Sequence, residues 1–269
     1  MKYKVGFIGC GNMAKAIAKG IVASKQVKAK EIIGADIDEG QRKGFAEACG
    51  AEVCADNAAV AKGAEIIFLA VKPQFLADAV GQIREHVGKD QIIVSIAAGV
   101  SLYKIMDMFG GGGKLKVVRL MPNTPALVNA GMTAMCANEN VTKAEQAKVM
   151  KLIKAFGDAE VVPEKLFDTV TAVSGSSPAY VFMFIEAMAD AAVAGGMPRD
   201  AAYRFAAKAV EGSARLMLDT GKHPGELKDM VCSPAGTTIE AVRVLEECGF
   251  RSAVIEAMEA CREKSMELG

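Results

Sequence analysis

A glycine turn set directly behind a short apolar run constrains this chain more than any other feature. Val5-Gly6-Phe7-Ile8 is of strand type, Gly9-Cys10-Gly11-Asn12-Met13-Ala14 follows at once, and Ile17, Ala18, Ile21 and Val22 then recur at helical spacing. Strand, G-x-G-x-x-A, helix is the context in which a glycine motif binds a dinucleotide rather than merely turning the chain. Gly9 permits the sharp turn, Gly11 lets backbone approach a pyrophosphate, and the small Ala14 lets the helix pack close to the strand.

The rest of the first half alternates strand and helix. Glu31 to Ala35 reads as the second strand and ends at Asp36, the spacing at which an acidic residue bonds the adenosine ribose. A carboxylate there favours NAD over NADP by repelling a 2′-phosphate, although Arg42 and Lys43 follow closely; alternatively Asp36 caps the helix that starts near Glu39. Gly40 to Cys49 is helical, and Asp56-Asn57 marks another helix start. The run Ile66 to Val71 reads as a buried parallel strand, stopped by Lys72-Pro73. Ligands sit at the carboxyl edge of such strands, so backbone at Ala70 and Val71 and the Lys72 ammonium are candidates for the cofactor. A solvated loop lysine is the other reading of Lys72. Ile92 to Ile96 is the next strand and ends in Ala97-Ala98-Gly99. A short helix from Leu102 to Phe109 runs into the glycine-rich surface turn Gly110 to Gly113. Lys116 to Met121 is a strand closed by Pro122-Asn123-Thr124-Pro125, a stiff loop with two hydrogen-bonding side chains. A strand from Met132 to Cys136, a helix from Lys143 to Phe156 and a strand from Glu160 to Val162 complete a doubly wound α/β domain over 1–163.

After Pro163 only helical periods remain, over 164–269. Helices are expected from Ala179 to Gly195, Ala201 to Thr220, Glu226 to Val231, Thr238 to Glu247 and Arg251 to Glu267, with the small-residue loop Ser174-Gly175-Ser176-Ser177-Pro178 before the first. The first two are apolar nearly all round. About one hundred residues cannot bury so many apolar faces alone, so these helices are expected to form the interface of an obligate dimer; an internal bundle core is the alternative.

The bulk numbers exclude several function classes. Lys plus Arg and Asp plus Glu are 32 each in 269 residues, so no basic field exists to hold nucleic acid, and 6% aromatic residues without tryptophan argue against base stacking. Seven scattered cysteines without C-x-x-C, and two distant histidines, His86 and His223, point to reduced thiols and no metal site. The N-terminus runs straight into a strand with no signal peptide, and Glu186 and Asp190 interrupt the most apolar helix. A soluble cytoplasmic protein, without membrane or nucleic-acid partners, is expected.

The chemistry is expected in Asp229 to Thr238. Ser233-Pro234-Ala235-Gly236 is a tight turn feeding a helix whose apolar face is Ile239, Val242 and Leu245, with Thr237 or Thr238 available as cap. The exposed amides and dipole of that helix start suit a small carboxylate.

Five motifs, taken in order, closely resemble pyrroline-5-carboxylate reductases over essentially the whole chain. They are Gly9-x-Gly11-Asn12-Met13-Ala14, Ala70 to Pro73, Met121 to Pro125, Ser174-Gly175-Ser176-x-Pro178-Ala179-Tyr180 and Ser233-Pro234-x-Gly236-x-Thr238. The resemblance implies an N-terminal Rossmann domain and a C-terminal helical dimerisation domain, with dimers often assembled into larger rings. It also implies reduction of 1-pyrroline-5-carboxylate to L-proline by NAD(P)H. By it, Gly9 to Met13, Asn57, Val71, Lys72 and Ala98 hold the cofactor, with Asn123 added at its strand end. Gly236, Thr237 and Thr238 bind the substrate carboxylate and ring nitrogen, with Glu164 and Ser176 nearby. Three positions depart from the family pattern: Ser177 replaces a glycine, Ala235 replaces the first of two glycines, and some relatives have asparagine at Met230. Asp36 replaces the small hydroxyl residue of NADP-preferring relatives, which adds to the NADH reading.

A protonated cyclic imine is already an electrophile, so no histidine base or metal is needed. Amides at Gly236 and Thr237 are expected to hold its carboxylate and the Thr238 hydroxyl to bond its nitrogen, with Thr238 as the catalytic side chain. Two other readings remain open: a dehydrogenase of small hydroxy or keto acids, which would need a catalytic lysine or histidine on the helical half, and a dimeric nucleotide sensor without catalysis.

Overall fold

The computed structural model describes residues 1–111 and 113–268, so Gly112 of the expected glycine-rich turn lies outside the described residues. Two compact units form: Met1–Ser176 together with the chain end from Cys261, and Ser177–Ala260.

The first unit is built on an eight-stranded sheet, in the order β3-β2-β1-β4-β5-β6-β7-β8. Its strands are β1 (Tyr3–Ile8), β2 (Ile32–Ala35), β3 (Glu52–Cys54), β4 (Ala64–Leu69), β5 (Ile92–Ser95), β6 (Lys116–Met121), β7 (Gly131–Ala137) and β8 (Gly157–Val161). The helices between them are α1 (Asn12–Ala23), α2 (Glu39–Cys49), α3 (Asn57–Gly63), α4 (Leu76–Ile83), α5 (Leu102–Met108) and α6 (Lys143–Ile153). All neighbours through β6 run parallel, and the strand order reverses between β1 and β4. That is the doubly wound arrangement the alternating pattern predicts.

Alternation within β4 shows why the sheet is covered on both faces. Ile66 and Phe68 enter the core under α1, α2 and α6, whereas Ile67 and Leu69 enter the core under α3, α4 and α5. Phe7 of β1 stacks on Phe68 with ring centroids 4.9 Å apart. Local chemistry fixes the helix starts: Asp38 accepts from the Gln41 amide, Asp56 from the Ala58 amide, and Thr142 with Glu145 forms a reciprocal capping box.

Two features of the sheet go beyond the sequence pattern. β3 is only three residues long and half-exposed at the sheet edge, too short to display a period of two. β7 is antiparallel to β6, with Leu120 opposite Met135, and β8 then pairs parallel to β7. The β7–β8 junction depends on glycine. Gly157 has φ +147 and ψ −164, and a Cβ there would lie 2.0 Å from the Gly131 carbonyl oxygen.

The first unit ends thirteen residues beyond the boundary expected at 163/164. The exit segment carries α7 (Phe167–Val170) and a π-helical turn, Thr171–Gly175. Phe167 is buried in the sheet core, and Ser265 near the chain end donates to the Asp168 carboxylate at 2.7 Å. Apolar burial therefore keeps 164–176 with the sheet.

The second unit contains α8 (Ser177–Ala194), α9 (Arg199–Thr220), α10 (Pro224–Val231), α11 (Thr237–Glu247) and most of α12 (Phe250–Leu268). Gly221 ends α9 in left-handed backbone at φ +63, the conformation glycine adopts at no steric cost. Large apolar side chains remain in the open, among them Phe182 (65% exposed), Met183 (68%), Phe205 (68%) and Leu218 (78%).

Candidate functional site

The glycine loop forms one wall of a cleft of about 540 Å³ at the carboxyl edge of the sheet. Gly9 has φ +96, and a Cβ on it would lie 2.6 Å from the Ala70 carbonyl oxygen. Only glycine fits between β1 and β4 there. Gly11 caps α1 in extended backbone, and a Cβ on it would meet nothing within 4 Å. The first turn of α1 has no side-chain cap and contains no acidic residue of its own. This is a cradle for an anion, and its donors fit the pyrophosphate of a dinucleotide.

Of the expected cofactor residues, Gly9, Gly11, Asp36, Asn57, Ala70, Val71 and Lys72 line this cleft together. Asn57 opens α3 and donates its side-chain amide to Gln82 at 3.0 Å. Lys72 is exposed at the rim. Cys10, Asn12, Met13, Ala98 and Asn123 do not line it. Cys10 is fully buried, and burial, with Asp36 as the next cause, pushes its thiol up to about 12. Asn12 is exposed, Met13 packs against the core, and Ala98 is exposed beyond β5. Asn123 is tied elsewhere: its amide donates to Ser174 Oγ at 3.1 Å, and its oxygen accepts from the Met132 amide at 2.9 Å. Sequence reasoning passed over Ile37, Phe75 and Gln82, which also line the cleft. The available signal was position, since Ile37 directly follows Asp36 at the end of β2.

Asp36 has two duties. Its Oδ2 accepts from the Cys10 amide at 2.8 Å and its Oδ1 from the Asp38 amide at 2.9 Å. The carboxylate thus braces the glycine loop as well as facing the cleft. It does not cap α2; Asp38 does. Arg42 donates to the carbonyls of Asp36 and Ile37, at 2.7 and 3.1 Å, so its guanidinium is held on the β2–α2 loop.

Glu164 and Ser176 belong to the first unit. Glu164 Oε1 accepts from Arg119 at 3.0 Å and from the Leu102 amide at 2.7 Å. Ser176 closes the π-helical turn by donating its amide to the Thr171 carbonyl at 2.8 Å. Cys136, on β7, is buried, and desolvation, with Glu164 as the next cause, pushes its thiol up to about 12.

Gly236, Thr237 and Thr238 belong to the second unit. The turn Ser233-Pro234-Ala235-Gly236 closes through the Gly236 amide, which donates to the Ser233 carbonyl at 3.0 Å. Two expectations change here. The residue at the cap is Gly236, not Thr237 or Thr238, because a Cβ at 236 would lie 2.2 Å from Ser233 Oγ. The Gly236 amide is committed to the turn, so the amides that open α11 begin with Thr237. Glu240 lies in that first turn, but Arg243 holds its carboxylate at 2.7 and 3.0 Å. Among the described residues no three His, Cys, Asp or Glu side chains converge on a metal position.

Both halves of the chain match known protein families. A family model described as pyrroline-5-carboxylate reductase dimerisation matches residues 164–268, and one described as NADP oxidoreductase coenzyme F420-dependent matches residues 4–99. The chain is 54% identical to a pyrroline-5-carboxylate reductase of Escherichia coli strain K12, covering 100% of this chain and 99% of that protein. The chain belongs to the pyrroline-5-carboxylate reductase family. A reductase of Methanosarcina acetivorans is 41% identical over 99% of this chain and 98% of its own. The crystal structure of the Plasmodium falciparum pyrroline carboxylate reductase with NADP bound superposes with a TM-score of 0.90. It is 30% identical, covering 100% of this chain and 99% of that one.

As a reductase of this family, the chain is an NAD(P)-dependent oxidoreductase with a Rossmann-type cofactor domain and a helical dimerisation domain. The family's dimerisation region begins at 164, where the exit segment begins, although 164–176 packs with the sheet. The helical run Glu164–Ala194 is long and apolar enough to cross a membrane by length and composition. The π-helical turn, Glu186 and Asp190 interrupt it, and it lies inside the region that the reductase dimerisation model matches. The departures from the reductase pattern have different weights. Ser177 opens α8 in helical backbone and needs no glycine, and Met230 is exposed on α10. Ala235 stands at φ +56, where an L side chain is strained.

Proposed function

We propose that this chain reduces 1-pyrroline-5-carboxylate to L-proline, in the cytoplasm, as a homodimer that joins into larger rings. The full-length likeness to the Escherichia coli reductase carries the reading. The anion-receptive helix starts at α1 and α11 support it.

Gly9, Gly11 and the first-turn amides at Asn12 and Met13 hold the pyrophosphate. Asp36 and Asn57 meet the adenosine ribose, and Ala70, Val71, Lys72 and Ala98 form the rim over which the nicotinamide half lies. Cys10 and Asn123 act through what they hold, the Asp36 carboxylate and Ser174. When bound, the reduced nicotinamide supplies the hydride. The chain supplies orientation and charge. Amides at Thr237 and Thr238, at the positive end of α11, hold the substrate carboxylate, and the Thr238 hydroxyl hydrogen-bonds the ring nitrogen. Glu164 and Ser176, both in the first unit, are given to the substrate by the family resemblance.

NADH is the preferred reductant in this reading. The Asp36 carboxylate keeps lone pairs for a ribose 2′-hydroxyl and repels a 2′-phosphate. A steady-state assay with the imine, run with NADH and with NADPH, tests both statements. Imine-dependent oxidation with the higher kcat/KM for NADH is expected. No oxidation with either cofactor would leave a nucleotide sensor, and a higher kcat/KM for NADPH would remove the role given to Asp36.

A further inference from the structure

One charged side chain in the first unit is buried where the chemistry above does not use it. Arg119 lies in the middle of β6 between Val118 and Leu120 and is 6% exposed. Burying a guanidinium opposes folding unless its partners are well placed. Its partners are few and defined. One guanidinium nitrogen donates to Glu164 Oε1 at 3.0 Å, and the guanidinium carbon stands 4.5 Å from the centre of the Phe167 ring.

The same Glu164 oxygen accepts the Leu102 amide at 2.7 Å. Leu102 is the first residue of α5, so its amide is one that the helix cannot satisfy internally. Ser101 takes the Lys104 amide, and Glu164 takes that of Leu102. A relay therefore runs from β6 through Arg119 and Glu164 to the start of α5.

What hangs from that start is the loop 96–101 at the carboxyl end of β5. The loop is held on its other side by the Ile96 amide, which donates to the Leu69 carbonyl at 3.2 Å, and it turns at Gly99 with φ +73. In a doubly wound sheet the second mononucleotide lies over the β4–β6 half. For a nicotinamide dinucleotide whose adenosine ribose is at Asp36, that half takes the nicotinamide.

We infer that Arg119 is a positioning residue: through Glu164 it sets the 96–101 loop and so orients the nicotinamide ring without touching it. The inference rests on the proposed reductase reading. It assigns Glu164 a relay role within the first unit, beyond the place near the substrate that the family resemblance implies.

The test is a double-mutant cycle of Arg119→Met and Glu164→Ala, with Arg119→Lys beside it. Readouts are the dissociation constant of NADH, the nicotinamide fluorescence of bound NADH, steady-state constants and the isotope effect with 4-deuterated NADH. Arg119→Met is expected to lower kcat at least tenfold and raise the isotope effect. It should move bound-nicotinamide emission towards that of free NADH, with the NADH dissociation constant and the imine KM within threefold. Glu164→Ala should reproduce that signature, and the double variant should be no worse than either single, because both cut one relay. Arg119→Lys keeps the charge without the planar fork and should fall between, with kcat at least threefold above the Met variant.

Several outcomes overturn the inference: kcat within twofold in Arg119→Met, multiplicative effects in the double variant, or a Glu164→Ala effect confined to the imine KM. If Arg119→Met does not fold, wild-type emission and kcat in Arg119→Lys overturn it equally. If the wild type shows no imine-dependent oxidation, the reductase reading falls, and the fluorescence comparison still decides whether Arg119 orients the ring.

Discussion

Ala235 occupies backbone that glycine adopts freely. At φ +56 its Cβ crowds the neighbouring carbonyl, a conflict of about 1–2 kcal/mol for an L residue. Ala235→Gly is expected to raise stability by about 1 kcal/mol, discounted for glycine's greater freedom in the unfolded chain, read as an upward shift in Tm. Thr133 presents the converse case. It is fully buried in β7, and its hydroxyl reaches no partner among the described residues. Thr133→Val keeps the shape and removes an unpaired polar group, so denaturant unfolding should give equal or greater stability, by up to about 1–3 kcal/mol. The buried thiols give a pH dependence of known sign. Cys10 and Cys136 are pushed up to about 12 from an ordinary 9.0, so above pH 9 the unfolded chain loses protons that the folded chain keeps. The stability they contribute is full below pH 9 and declines as pH rises towards 12. The fall in Tm between pH 9 and 11 should be shallower in Cys136→Ala than in the wild type.

Among the elements, the β7–β8 junction rests on a single residue. Gly157, at φ +147 and ψ −164, lies in a region open essentially to glycine alone, and an added Cβ would strike the Gly131 backbone. Gly157→Ala should lose at least about 3 kcal/mol, measured by denaturant unfolding. How far elements were legible in the sequence follows from the range of the forces that make them. β1, the glycine loop and α1 were legible because glycine sterics and apolar spacing act within a dozen residues. β3 was not, since three edge residues carry no period. The direction of β7 was not, because pairing between distant segments leaves no local mark. At α11 the expectation of a threonine cap yielded to Gly236, whose place is set by contact with Ser233. Arg119 was passed over inside an ordinary apolar strand, because its partners Glu164, Phe167 and Leu102 are remote in sequence. The boundary at 163/164 followed the change of periodicity, whereas the compact unit follows the burial of Phe167.

For the whole molecule, the two functional motifs fall in different compact units, the glycine loop in one and Ser233 to Thr238 in the other. Thr238→Ala should therefore lower kcat/KM for the imine by roughly 10- to 100-fold, the worth of one hydrogen bond to a charged group. NADH binding, measured by fluorescence titration, should stay unchanged. The second unit displays Phe182, Met183, Phe205 and Leu218 to solvent, within the region that the dimerisation family model matches. The consequence is thermodynamic. If those faces are satisfied only against a second copy, folding and association are one equilibrium, and stability becomes a function of protein concentration. Each tenfold dilution then removes about 1.4 kcal/mol from the advantage of the folded dimer. Tm should climb with concentration, and specific activity should decay on extreme dilution and return when the protein is concentrated again.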